Sequence, residues 1–120
     1  MFESLLLNLM VNHRPIDDTF AALADPTRRQ MVEQLLRGDA TISDLAAPHD
    51  MSMPAAMKHV RKLVDAGLVR REKNGRSVTC SLNIDPLDQA SRWLHQHLEF
   101  WNQRLDALDR YLARQKEADK

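Results

Sequence analysis

Cysteine is almost absent. Cys80 is the single thiol in 120 residues, so an intrachain disulfide and a cysteine cage for zinc are both excluded, and thiol poverty fits a reducing, cytoplasmic setting. Glycine is scarce, with three residues, and tyrosine occurs once, while Leu, Ala, Arg, Asp and Gln abound, a balance that favours helix over sheet. No apolar run approaches the ~20 residues needed to cross a bilayer, so no membrane partner is expected. The stretch from Met1 to Val11 is the most apolar, but it lacks a basic leader and a small-residue cleavage site; it reads as a structural helix rather than a signal peptide. A phosphate-cradling glycine loop, a nucleophile elbow and a metal-ligand motif are also missing, so the chain is expected to be no enzyme and to need no cofactor.

Net charge is lacking too, with 17 basic and 17 acidic residues, but the balance is uneven along the chain. Residues 51–80 hold seven Lys and Arg against two Asp and Glu, a local +5, while the segments on either side are slightly acidic. Neutralising phosphates supplies most non-specific affinity for nucleic acid, so this block is the candidate DNA surface.

The length suits a single domain over 1–120, organised as a run of helices. Phe2, Leu5, Leu6 and Leu9 fall at helical spacing and predict an amphipathic first helix, interrupted before Pro15. A second is expected from Asp17 to Ala24, capped by Asp17 or Asp18, with Phe20, Leu23 and Ala24 inward. Asp25-Pro26 supplies an N-cap and a tolerated proline for a third, whose stripe is Met31, Val32, Leu35 and Leu36 and whose end is Gly38. A short helix from Thr41 to Ala47, a break over 48–51 and a helix capped at Ser52, with Met53, Ala56, Val60 and Leu63 inward, make a helix-turn-helix over 41–66 that Gly67 closes.

Residues 68–73 and 77–82 flank Asn74-Gly75-Arg76, and Asn-Gly is the strongest short hairpin signal, so 68–82 is predicted to be a wing tipped with basic residues. From Pro86 to about Lys116 a single long helix is expected. Its Leu94, Leu98, Trp101, Leu105, Leu108 and Leu112 alternate spacings of four and three, the pattern of a dimerising seam. The fold class is therefore mostly α with a small β-hairpin, six helices in all with the hairpin before the last.

In that order the segments Phe20-Ala21-Ala22-Leu23-Ala24-Asp25-Pro26-Thr27-Arg28-Arg29, Ile42-Ser43-Asp44-Leu45-Ala46, Lys58-His59-Val60 and Ala66-Gly67-Leu68-Val69 resemble the ArsR family of bacterial winged-helix repressors, over about residues 16–100. The resemblance implies a DNA-binding transcriptional repressor that works on double-stranded DNA as a homodimer, joined through the terminal helices (1–15 and 86–116); it either answers to a small-molecule effector that the sequence does not identify or responds only to its own abundance. Met57 departs from the family, which commonly has serine there.

The residues themselves place the reading surface on the outer face of the Ser52 helix: Ser52, Pro54, Ala55, Met57, Lys58, His59, Arg61 and Lys62, joined by Lys73 and Arg76 of the wing. Lys58 and Arg61 are the best donors to guanine edges or phosphates, and a thioether at 57 either meets a thymine methyl or packs. His59 has two readings, a phosphate contact or packing inside the domain. Dimer contacts are assigned to Phe2, Leu5, Leu6, Leu9, Leu94, Leu98, Trp101, Leu105 and Leu108.

Two sensing alternatives stand beside this reading, a metal held by His95 and His97 and a redox switch at Cys80. Residues two apart on a helix project about 200° apart, so His95 and His97 of one chain cannot grip one ion. A lone thiol on a strand is a packing residue more often than a switch. Trp93, Phe100 and Trp101 offer either an apolar effector pocket or plain packing. A protein-interaction module without DNA binding would leave the basic block unexplained.

Overall fold

Pro15 opens a helix. The computed structural model describes residues 15–119, and the expected first helix, with Phe2, Leu5, Leu6 and Leu9, lies outside them. Helix α1 runs Pro15–Leu23, where the proline's missing N–H is no loss in a first turn, and it buries Thr19 and Ala22. Phe20 and Leu23 are half-buried, and Ala24, expected inward, is exposed in the elbow that follows.

Helix α2, Pro26–Arg37, begins as anticipated: the Asp25 carboxylate accepts the Arg28 N–H at 3.0 Å and Pro26 takes the first turn. Its buried face is Arg28, Met31, Val32 and Leu35, whereas Leu36, placed in the stripe by sequence, is 59% exposed. The core covers only the arc around Val32 and Leu35; Leu36 stands one position past it.

Strand β1 is two residues, Ala40–Thr41, and helix α3 follows at once as Ile42–Ala46. Thr41 serves both. Its backbone pairs with Thr79 in the sheet, its hydroxyl accepts the Asp44 N–H at 3.1 Å, and the Asp44 carboxylate accepts the Thr41 N–H at 3.2 Å, a complete capping box. A 3₁₀ turn, Ala47–His49, and Asp50 in the left-handed region (φ 48°) carry the chain to helix α4, Met53–Asp65, capped by Ser52 through the Ala55 N–H at 3.3 Å. Helix α4 buries Ala56, Val60 and Leu63. It closes with the 6→1 and 5→2 bonds of a Schellman motif, Leu68 N–H to Leu63 C=O and Gly67 N–H to Val64 C=O, both 2.9 Å, with Gly67 at φ +79°.

Strands β2 (Val69–Asn74) and β3 (Ser77–Leu82) form the wing. Asn74 pairs with Ser77, so Asn74, expected in the loop with Gly75 and Arg76, ends strand β2 and the loop is Gly75-Arg76 alone; only Gly75 has positive φ (+63°), the pattern of a II′ turn. The sheet order β1-β3-β2 adds a short strand that the hairpin reading did not include. Met31, Leu45, Val60, Leu63, Leu68 and Cys80 are the fully buried centre of the core that these elements share.

Helix α5, Ile84–Ala118, starts two residues ahead of Pro86, which its first turn accommodates. The chain divides after Asp88 into two units. Within the second, the helix residues Leu94, Leu98, Trp101, Leu105, Leu108 and Leu112 are 42–59% exposed, an uninterrupted apolar seam.

Candidate nucleic-acid interface

Burial of Ala56, Val60 and Leu63 fixes the rotation of α4, because residues three and four apart share a face. Pro54, Lys58 and Arg61 are thereby turned outward, with Met57 on one flank and Ala55, His59 and Lys62 on the other. The first flank looks onto the wing. Met53 and Met57 line a cleft of about 370 Å³ together with Thr41, Ile42, Ser43, Arg76, Ser77 and Val78, so the outer face of α4 and the wing tip border one surface. Lys73, one pair below Asn74 and opposite Val78, is exposed beside that tip. Among the described residues no carboxylate lies within ion-pairing distance of Lys58, Arg61, Lys73 or Arg76, so four cations are left without an internal partner.

The second flank is held by the domain. Arg28, only 9% exposed, donates from Nε to the Ala22 carbonyl at 2.6 Å and from Nη2 to the Ala21 carbonyl at 3.3 Å, capping the end of α1. Its Nη1 donates to His59 Nδ1 at 3.5 Å, and the same ring nitrogen lies 3.8 Å from an Asp25 carboxylate oxygen. Of the two readings of His59, packing inside the domain is the one this geometry favours. The Asp25 carboxyl sits below the ordinary carboxylate range chiefly because it accepts the Arg28 backbone N–H, with the charges of Arg28 and His59 adding to the effect against partial desolvation. Lys62 borders a separate hollow of about 400 Å³ shared with Asp18, Arg28 and Asp65.

Sequence reasoning missed two residues of this surface. Met53, assigned inward, is 44% exposed, and the Ser43 hydroxyl donates to its sulfur at 4.0 Å. The Ser52 cap was the available signal, since a cap at 52 makes Met53 the first helical residue, where no preceding turn covers it. Asn83 is the other. It donates to the Gly67 carbonyl at 3.0 Å, accepts from Arg70 at 3.3 Å and gives its backbone N–H to Leu68 at 2.8 Å, tying the base of the wing to the end of α4.

The sensing candidates fare differently. Cys80 is fully buried and desolvation raises its thiol pKa, against a smaller opposing effect of Arg71, so it is held as an unreactive thiol in the core. His95 and His97 each direct Nδ1 to the carbonyl four residues earlier, Ser91 at 2.9 Å and Trp93 at 2.8 Å, and His97 stacks on Trp93 at 4.1 Å. Among the described residues no three His, Cys, Asp or Glu side chains gather as a metal site. Nor is any described helix long and apolar enough to cross a membrane.

A helix-turn-helix followed by a basic two-stranded wing defines the class: a winged-helix DNA-binding protein. A helix-turn-helix domain model matches residues 23–72. The transcriptional repressor SdpR of Bacillus subtilis is 30% identical over 79 residues, 66% of this chain and 88% of that protein, and the arsenical resistance operon repressor of Staphylococcus xylosus is 27% identical over 99 residues, 82% and 85% of the two chains. Among solved structures, an ArsR family transcriptional regulator is similar at TM-score 0.69 and 43% identity, over 73% of this chain and 91% of that one. An ArsR-like transcriptional regulator from Rhodococcus sp. RHA1 gives TM-score 0.65 and 33% identity, over 78% and 89%. The chain belongs to the ArsR family and is a DNA-binding transcriptional regulator; several of the relatives it matches are repressors.

Proposed function

We propose that the chain binds an inverted-repeat operator as a homodimer in the cytoplasm and represses by covering a promoter. Helix α4 enters the major groove with Ser52, Pro54, Ala55, Met57, Lys58 and Arg61 toward the bases and backbone, while Lys73 and Arg76 reach the adjacent minor groove or its phosphates. The observation that carries this reading is the cleft lined by Met57 of α4 and Arg76 of the wing, next to the outer face of α4 where Lys58 and Arg61 are exposed. Charges left unpaired in a neutral protein are matched by a polyanion.

The homodimer rests on the α5 seam. Six large apolar side chains at heptad spacing, exposed along one helix, are covered when a second copy supplies the same stripe across a two-fold axis. Phe2, Leu5, Leu6 and Leu9 are proposed to join that contact. An inverted repeat with half-sites about one DNA turn apart is the operator that two copies of a recognition helix read.

A competition gel shift tests the reading. Lys58→Ala and Arg76→Ala are expected to lose specific binding while sedimenting as the wild type does. Unchanged binding in both would sink it.

A further inference from the structure

We propose that Met53 and Met57 form a thymine-reading edge, a pair of thioethers that recognise the C5-methyl groups of thymine in each operator half-site. The inference rests on the DNA-binding reading above and names the base chemistry at one flank of that surface.

The two side chains are 44% and 38% exposed although both are large and apolar. They lie four residues apart on one flank of α4, in its first turns, the part of a recognition helix that meets base edges. Neither is needed to fill the core, which Ala56, Val60 and Leu63 close from the other side. The Ser43 hydroxyl reaches the Met53 sulfur at 4.0 Å, and both methionines line the cleft facing the wing. Lys58 and Arg61 on the same helix and Arg76 across the cleft supply the charge that draws a phosphate backbone to this apolar strip.

The chemistry selects the base. A thioether sulfur is at most a weak acceptor and a methionine methyl donates nothing, so neither residue can read guanine or adenine by a hydrogen-bond pattern. Thymine alone presents a methyl in the major groove, and burying that methyl against Met53 or Met57 removes apolar surface from water on both partners. Methionine's unbranched, polarizable chain adapts to a methyl at slightly different heights. The edge therefore specifies thymine at one or two positions per half-site, beside positions read by Lys58 and Arg61.

The test begins with an operator selected from a random DNA pool, followed by affinity measurements on duplexes in which single thymidines are replaced by deoxyuridine, which deletes only the methyl. Binding is expected to weaken about fourfold per methyl contacted. That sensitivity should disappear in Met53→Ala/Met57→Ala, a variant whose fold, checked by circular dichroism, is expected to be intact because both residues lie outside the core. Wild-type affinity for a fully deoxyuridine-substituted operator, or methyl sensitivity that persists in the double variant, overturns the thymine edge and leaves the DNA-binding reading standing. Failure to enrich any operator, with no binding to natural DNA, overturns both.

Discussion

The guanidinium of Arg28 meets His59 across the elbow between α1 and α2, Nη1 to Nδ1 at 3.5 Å, and so ties the rotation of the recognition helix to the end of α1. Arginine is always a donor, so the His59 Nδ1 is the acceptor in this contact and its remaining N–H is on Nε2 when the ring is neutral. Arg28→Met is expected to cost about 2–3 kcal/mol in urea unfolding, because it leaves the Ala21 and Ala22 carbonyls without their charged donor. Arg28→Lys should recover little, since one ammonium cannot span three acceptors held in a planar fork. A lysine variant as stable as wild type would show that the fork is not what holds the elbow.

Asp25 gives the elbow a pH dependence with a definite sign. Its pKa is lowered in the folded chain, mainly by the Arg28 backbone N–H, so its contribution is present above the unfolded carboxylate value and is lost as pH falls through the folded one. Asp25→Ala is expected to lose about 1 kcal/mol at neutral pH as a missing N-cap. The gap between wild type and variant should narrow as pH drops below the ordinary value of 3.8. A gap that widens in acid would contradict the assignment.

The end of the recognition helix depends on one backbone conformation. Gly67 has φ +79°, and a Cβ there would meet nothing closer than Pro86 Cγ at 3.9 Å, so space is available and only the dihedral resists substitution. Gly67→Ala should therefore destabilise by about 1–2 kcal/mol, the cost of an L-residue in the left-handed region, with a lowered Tm and unchanged operator preference. Altered preference would mean that Gly67 aims the wing as well as ending the helix.

These contacts show which features a sequence carries and which arise only when chain segments meet. Asp25, Ser52 and Gly67 mark helix ends through local chemistry, and the structure uses all three as caps. Met53 and Leu36 fit a helical period yet lie outside the core, because periodicity gives the angular position of a side chain but not how far the neighbouring elements extend to cover it. Strand β1 is two residues long, too short for any alternation, and exists because β3 offers a free edge. The loop is one residue shorter than expected for the same reason: Asn74 pairs with Ser77, and the loop is left with Gly75 and Arg76. The outer face of α4 was legible because the buried positions of one helix determine its exposed ones, whereas the Arg28–His59 contact joins residues 31 apart and leaves no local trace.

Salt dependence offers a count of the cations engaged. Lys58, Arg61, Lys73 and Arg76 are the cations proposed to face DNA, and each phosphate neutralised contributes about −0.9 to the slope of log K against log salt. Replacing one of them by alanine is expected to reduce the slope magnitude by about 1 per half-site, with uniform weakening across sequences if it meets phosphate and relaxed preference at one position if it meets a base. Lys62, which borders the hollow lined by Asp18 and Asp65 rather than the wing cleft, should leave the slope nearly unchanged. A Lys62→Ala slope change as large as that of Arg76→Ala would place it on the DNA after all.

The α5 seam separates folding from assembly unusually cleanly. Leu98 and Leu105 are 54% and 53% exposed in the single chain, so a charge there removes no core contact and costs the isolated chain little beyond the lower helix propensity of aspartate. In a dimer each leucine is covered, at about 2 kcal/mol per side chain, and two-fold symmetry doubles the effect before the penalty of burying a carboxylate is added. Leu105→Asp is therefore expected to raise the dimer Kd by on the order of a thousandfold in sedimentation velocity while far-UV circular dichroism changes little. Operator affinity should fall with it, because a monomer presents one α4 to a two-part site. A Leu105→Asp protein that remains dimeric would move the two-fold contact away from this seam, and one that is monomeric yet binds operator at full strength would show that dimerisation is not what couples the half-sites.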